Sequence, residues 1–235
     1  MDTQVKNIQQ ALVAAGLDPG PVDGIWGRRT QAAVMEFQRR EGLAVDGIVG
    51  PATWAALQEA MPALTGATPF PWQAEATRLL YTHEMLGPRD NPAILQWADD
   101  LHLHYPGDDV PWCGLFVGHC IGATLPTEVL PNGLLGAQSW IRLGDEVTPR
   151  AGAVMVFWRE SRESGLGHVG LYAGEDKSGY FIIGGNQNDS VCYIWMPKNQ
   201  FLGARWPRTA RFLQAQAQPK QMVRGKEFEA LAALV

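Results

Sequence analysis

Pro111-Trp112-Cys113-Gly114-Leu115-Phe116-Val117 is the stretch from which the architecture of most of the chain is read. Apolar residues run on from it to about residue 124, so residues 111–124 read as a helix. The proline stands at the helix start, where its missing N–H is one the helix does not use. Asp109 is placed to cap the same end. Cys113 then falls in the first turn, facing the positive end of the helix dipole, a setting that lowers a thiol's pKa. A small buried cysteine is the other reading, and this segment alone does not choose between them. Cys120 lies on nearly the same helix face two turns deeper and reads as core. Cys192 falls in an expected strand and reads as structural.

Towards the C-terminus the pattern changes. Ala153 to Trp158, His168 to Tyr172, Gly179 to Gly184 and Val191 to Trp195 are short apolar runs of strand character. Towards the N-terminus, residues 72–86 fit a helix with Leu79, Leu80 and Leu86 on one side, ended by Gly87-Pro88. Asn91-Pro92 opens another helix to about Leu101, and residues 137–143 suit a short one. Helices followed by a run of antiparallel strands make an α+β domain.

Two polar residues follow the cysteine at intervals that suit chemistry. In Gly165-Leu166-Gly167-His168-Val169-Gly170-Leu171-Tyr172, glycines flank the imidazole and allow close approach. On a strand, His168 points away from Val169 and Leu171. A lone histidine here is as readily structural. In Ile182-Ile183-Gly184-Gly185-Asn186-Gln187-Asn188, a side-chain amide oxygen at Asn186 can accept the imidazole N–H and fix its tautomer. An ordinary turn is the plainer reading of Gly-Gly-Asn. A competing site is His102-x-His104 with Asp99, Asp100, Asp108 and Asp109, which has zinc-type ligands but no H-E-x-x-H or similar framework. The expectation is no metal and no other cofactor. His119, beside Cys120, reads as helix packing.

The first part of the chain carries a repeat. Val22-Asp23-Gly24-Ile25-Trp26-Gly27-Arg28-Arg29-Thr30-Gln31-Ala32-Ala33 returns as Val45-Asp46-Gly47-Ile48-Val49-Gly50-Pro51-Ala52-Thr53-Trp54-Ala55-Ala56. Each copy reads as a tight Asp-Gly turn followed by a helix, with Ala33, Val34 and Phe37 at helical spacing in the first. Val5, Ile8, Leu12 and Val13 form an amphipathic helix ahead of it. Spacing alone also fits a small helical bundle without a binding role. Pro62, Gly66, Pro69 and Pro71 mark residues 62–71 as a linker.

The length of 235 residues suits two unequal domains. A net charge of −5, with no Lys/Arg-rich run and no basic-aromatic stripe, argues against nucleic acid as a partner. Three cysteines are too few and too odd for a disulfide framework. No uninterrupted apolar stretch suits a membrane span, and residues 1–20 lack a basic start with an apolar core. The expectation is a protein made in the cytoplasm and delivered to its site of action by other means.

With these residues in view, two resemblances stand out. Nearly all of residues 4–59 resembles the three-helix peptidoglycan-binding domain often appended to wall hydrolases, which carries a paired D-G-x-x-G-x-x-T signature. From about residue 87 to residue 207 the chain resembles the CHAP and NlpC/P60 superfamily of papain-like cysteine hydrolases. Within it the likeness is to a small family common in bacteriophages and prophages. The matching segments are D-x-x-P-W-C-G-L-F-V, P-R-A-G-A-V-M-V-F-W-R, S-G-L-G-H-V-G-L-Y and I-I-G-G-N-Q-N-D-S-V. The resemblance implies an antiparallel papain-like domain with Cys113 as nucleophile, His168 as general base and Asn186 orienting the imidazole. Gln187 is the nearest competitor of Asn186. Trp112, Gln187 and Asp109 are expected to border the substrate, and Trp140, Trp158 and Tyr172 to line the cleft.

The expected organisation is a peptidoglycan-binding domain at 1–61, a linker at 62–71, a catalytic domain at 72–212 and a tail or helix at 213–235. The function implied is that of an endolysin-like peptidoglycan hydrolase cutting an amide or peptide bond. A delivered antibacterial toxin and a non-catalytic wall binder are the alternatives. The implied partner is bacterial peptidoglycan, reached in the periplasm, with a monomer as the expected state.

Overall fold

The computed structural model describes residues 3–15, 17–60, 70–80, 82–85, 90–187 and 189–222. These fall into two compact units, one within residues 1–66 and one within residues 67–224.

The first unit contains α1 (Thr3–Ala14), α2 (Arg28–Arg40) and α3 (Pro51–Ala60). Their apolar stripes meet in a small core of Ile8, Leu12, Ala33, Val34, Phe37 and Leu57. The side chain of Val13 lies outside the described residues. Each repeated turn needs its glycine, because Gly24 and Gly47 take φ of 75° and 69°. Each aspartate closes its own turn: Asp23 Oδ1 accepts the Ile25 N–H at 2.9 Å and Asp46 Oδ1 the Ile48 N–H at 2.8 Å. Those backbone donors hold both carboxyls below the usual range, with Gln9 and Gln38 assisting.

Two glutamines lock the turns to the helices before them. Buried Gln9 donates to Asp23, to the Ile25 carbonyl and to Thr30 Oγ1, and accepts the Gly24 N–H at 2.9 Å. Buried Gln38 repeats every bond with Asp46, Ile48, Thr53 Oγ1 and Gly47. The threonine in each D-G-I-x-G-x-x-T is therefore a partner of a glutamine outside the motif.

The second unit opens earlier than the composition suggests. Phe70 is buried edge-on against Trp206 with ring centroids 5.4 Å apart, and Pro71 begins α4 (Pro71–Arg78). The last two residues of the expected linker thus belong to the folded unit. The expected helix 72–86 ends at Arg78; Leu86, Gly87 and Pro88 lie outside the described residues. Next come α5 (Pro92–Asp100), capped by the Asn91 side chain on the Ala93 N–H at 2.9 Å, and α6 (Cys113–Thr124). A short 3-10 helix covers Ala137–Arg142.

Six strands follow: β1 (Asp145–Val147), β2 (Val154–Trp158), β3 (Gly167–Glu175), β4 (Gly179–Gly184), β5 (Cys192–Pro197) and β6 (Phe201–Trp206). They form one antiparallel sheet in the order β1-β6-β2-β3-β4-β5. The sheet borne out is that of the α+β reading, but two members lacked a clear signal. β1 is only three residues long. In β6, Gly203 and Arg205 interrupt the apolar run, although the strand lies inside the sheet between β1 and β2. Of the expected tail or helix at 213–235, the first residues end a 3-10 stretch at Arg208–Gln216, residues 217–222 are not helical, and residues 223–235 lie outside the described residues.

Helix α6 is apolar on all sides and is buried at Cys113 through Gly118 and again at Cys120 and Ile121. A helix of that kind has no solvated face to offer and belongs at the centre of its domain. It packs against α4, α5 and β3, which carries the start of the cysteine helix to the strand that bears His168.

Candidate active site

Cys113 is the first residue of α6, and its thiol lies against the backbone N–H of Val169, the residue after His168. The N–H groups of Gly114 and of Cys113 itself also approach the sulfur. Arg159 is close enough to act on both the thiol and the imidazole. The loop after β4 closes the site from the other side. A Cβ added to Gly185 would stand 2.6 Å from the Trp112 ring and from Phe116, so only glycine lets this loop seat on the start of α6.

His168 is buried on β3, directly opposite Phe157 of β2. Its Nε2 is 2.7 Å from Gln187 Oε1. The amide of Gln187 is fixed by its other end, because Nε2 donates to the Cys192 carbonyl, which can only accept. The oxygen must therefore face the ring. His168 then carries its proton on Nε2 and keeps Nδ1 as the basic nitrogen. Asn186, the expected partner of the imidazole, is turned the other way and donates to Glu84 Oε1 at 2.8 Å. Asn186 itself takes a left-handed φ of 54°.

Burial sets the charge state of the pair. It pushes the Cys113 thiol up, and the three backbone N–H groups and Arg159 only partly oppose it. It pulls His168 down to about 4, against the opposing pull of Gln187. The helix start was expected to favour thiolate; desolvation outweighs it. Both shifts favour the uncharged form, a neutral thiol at Cys113 and a neutral imidazole at His168.

Other expected site residues take different places. Trp112, expected to border the substrate, is fully buried at the cap of α6 and donates Nε1–H to Glu84 Oε1 at 2.8 Å. Gln187 is buried and engaged with His168. Asp109 is exposed and does not cap α6, whose cap has no side-chain hydrogen bond. Trp140 and Tyr172 are core residues, whereas Trp158 is half-buried at the end of β2. Cys120 is fully buried, and desolvation pushes its thiol well above the ordinary value. Cys192 is buried and donates S–H to the Gln187 carbonyl at 3.2 Å. His119 stacks on Trp97 and pairs with Glu75 at 3.0 Å. Among the described residues, no three His, Cys, Asp or Glu side chains converge as a metal site requires. Asp108 accepts the Asn91 N–H at 2.7 Å, and His102 and His104 are exposed.

The first unit presents a surface of its own. Ile25, Trp26, Val45 and Ile48, all from the repeated turns, are exposed. A groove of about 330 Å³ opens beside them, lined by Ile8, Trp26, Gln31, Gly47, Ile48 and Val49. Apolar turn residues in the open, around a groove with a polar amide, suit a ligand with both apolar and polar faces.

Residues 2–57 match the family described as "Putative peptidoglycan binding domain". The first unit is a peptidoglycan-binding domain. Over this region the chain is 47% identical across 57 residues to N-acetylmuramoyl-L-alanine amidase CwlL of Bacillus licheniformis, covering 23% of this chain and 16% of that protein. It is 40% identical across 65 residues to N-acetylmuramoyl-L-alanine amidase CwlM of Mycobacterium tuberculosis, covering 28% of this chain and 16% of that protein. An uncharacterized protein of Kitasatospora aureofaciens is 52% identical across 54 residues, 23% of this chain and 46% of that one. The chain thus spans less than half the length of these curated relatives. No solved structure matches it. Beyond the peptidoglycan-binding domain, the second unit stands on its own geometry.

Proposed function

We propose that the protein is a peptidoglycan hydrolase whose second unit cuts an amide bond by a thiol mechanism. The observation that carries this reading is the thiol of Cys113, at a helix start, lying against the backbone N–H of Val169, the residue next to His168, whose ring is held by Gln187. The peptidoglycan-binding domain supplies the substrate class. Two of the relatives that share this domain are named as N-acetylmuramoyl-L-alanine amidases, which supports a C–N bond in the wall as the target.

In this reading Cys113 Sγ attacks the amide carbonyl carbon while His168 Nδ1 takes the thiol proton. Backbone N–H groups left free by the first turn of α6, that of Cys113 among them, favour the developing oxyanion. The tetrahedral intermediate collapses with loss of the amine, which receives the proton from His168. Water, deprotonated by His168, then releases the acyl group from the sulfur. Gln187 holds the ring so that Nδ1 remains the basic nitrogen. The fold assigned is of the papain-like CHAP and NlpC/P60 kind, as the order of cysteine helix, histidine strand and amide-bearing loop supports. An endolysin-like role, with the protein made in a host cytoplasm and acting on the wall after release, is the biological setting we infer.

The test is digestion of purified peptidoglycan after treatment with iodoacetamide or with a chelator. Alkylation is expected to stop fragment release and chelation to leave it unchanged. Release that survives alkylation of Cys113 but not chelation would replace the thiol mechanism with a metal one.

A further inference from the structure

Glu84 stands outside the segments that point to chemistry, yet it joins both halves of the thiol centre. Its Oε1 accepts the Trp112 Nε1–H at 2.8 Å and the Asn186 Nδ2–H at 2.8 Å. Trp112 is the cap residue of α6, immediately before Cys113. Asn186 immediately precedes Gln187, which holds His168. One carboxylate oxygen thus ties the nucleophile's helix to the loop that orients the base.

The chain around Glu84 is fastened to the same loop. The Glu84 N–H donates to the Asp189 carbonyl at 2.9 Å, and the Val191 N–H donates to the Thr82 carbonyl at 2.7 Å. His83 bridges to Ser190, and the Asn91 side chain donates to the His83 carbonyl at 2.6 Å. This is a costly place for a carboxyl. Burial raises its pKa, the Trp112 indole opposes that, and the charges of Asp189 and Asp108 add to it before the Asn186 amide lowers it again. A carboxylate oxygen accepts two N–H groups at once without offering a donor that competes for them.

We propose that Glu84 is a positioning residue of the thiol centre, setting the placement of Cys113 relative to His168 through Trp112 and Asn186. The inference rests on the thiol-hydrolase reading, but one arm of its test does not. A displacement of about 1 Å between reacting groups costs up to about a hundredfold in rate.

The experiment compares full-length wild type, Glu84→Ala, Glu84→Gln and His168→Ala. Two readouts are used: kcat and KM on purified peptidoglycan, and the pH profile of Cys113 carbamidomethylation by iodoacetamide, followed by peptide mass spectrometry. Glu84→Ala is expected to lose about tenfold to a hundredfold in kcat with KM little changed. Its carbamidomethylation profile is expected to move towards that of His168→Ala. Glu84→Gln, whose amide oxygen can accept both N–H groups, is expected within about threefold of wild type. A wild-type profile and kcat in Glu84→Ala would overturn the proposal, as would equal loss in Glu84→Gln. If Glu84→Ala does not fold, Trp112→Phe and Asn186→Ala each remove one donor. A shifted profile in either supports the proposal, and wild-type profiles in both overturn it. If wild type itself releases no fragments, the hydrolase reading has failed, while the carbamidomethylation arm still decides the role of Glu84.

Discussion

The peptidoglycan-binding domain and the second unit solve the same problem, holding polar side chains in a fixed place, at different distances along the chain. In the first, Asp23 and Asp46 close turns on backbone N–H groups two residues away. Such bonds follow from local sequence, and the turn appears twice. In the second, the residues of the proposed site come from Glu84, Cys113, His168 and the Asn186-Gln187 pair. His168 and Gln187 are 19 positions apart, and Glu84 and Asn186 are 102 apart. Local devices can be read from their spacing. Distant ones depend on how the sheet and α6 bring the segments together.

That contrast can be broken at its centre. His168→Ala should reduce peptidoglycan hydrolysis about a thousandfold, since it removes the proposed general base, whose ring Gln187 holds. Within the loop, Gln187→Ala should cost about a hundredfold and Asn186→Ala about tenfold, because only the former bonds the ring. Initial rates on one batch of sacculi would rank them. The reverse order would restore Asn186 as the partner of the imidazole.

The two regions also divide on binding. Removing residues 1–61 should weaken cosedimentation with intact sacculi and slow their hydrolysis by about tenfold, while hydrolysis of small soluble fragments changes little. Undiminished binding by the shortened protein would contradict the role of the groove beside Trp26 and Ile48.

A smaller effect sharpens the comparison within the first unit. Gln9→Ala and Gln38→Ala each strand a buried glycine N–H and remove the donor to a threonine Oγ1, so each should destabilise that unit by about 1–3 kcal/mol. The two losses should be alike, because the bonds are the same in both copies. Urea unfolding measures them, and a large effect from one glutamine alone would mean the copies are not equivalent.

Much of this was legible beforehand. The repeated turns, the helix starting near Cys113 and the strands around His168 and Ile182 all carry short-range signals of turn chemistry or periodicity. What escaped has a common character. Gln9 and Gln38 are buried amides whose worth lies in their partners, and a glutamine in a helix or a loop has no pattern that reveals one. Between Asn186 and Gln187 the sequence preferred the former, whereas the structure gives the imidazole to Gln187. Glu84, the partner of Trp112 from 28 positions upstream, carried no signal of its own. The expected thiolate failed for an energetic reason, since the depth of burial is a property of the packed domain and not of the helix start.

Burial leaves a signature in pH dependence as well. The His168 pKa falls from 6.5 to about 4 in the folded protein, so the unfolded chain binds its proton first as pH falls. The stabilising contribution is present in full above pH 6.5 and is lost between 6.5 and about 4, amounting to about 3 kcal/mol. Urea unfolding of wild type and His168→Gln across that range should converge as the pH drops. Parallel curves would mean the imidazole is not held neutral.

The most direct test of the thiol centre is digestion of purified peptidoglycan by wild type and Cys113→Ala, with mass spectrometry of the released fragments and cosedimentation to check binding. The account predicts fragments with new amine and carboxyl ends from wild type. It predicts none from Cys113→Ala, which should still bind the wall. Equal release by both proteins would contradict it, leaving Cys113 as a packing residue and the chemistry elsewhere.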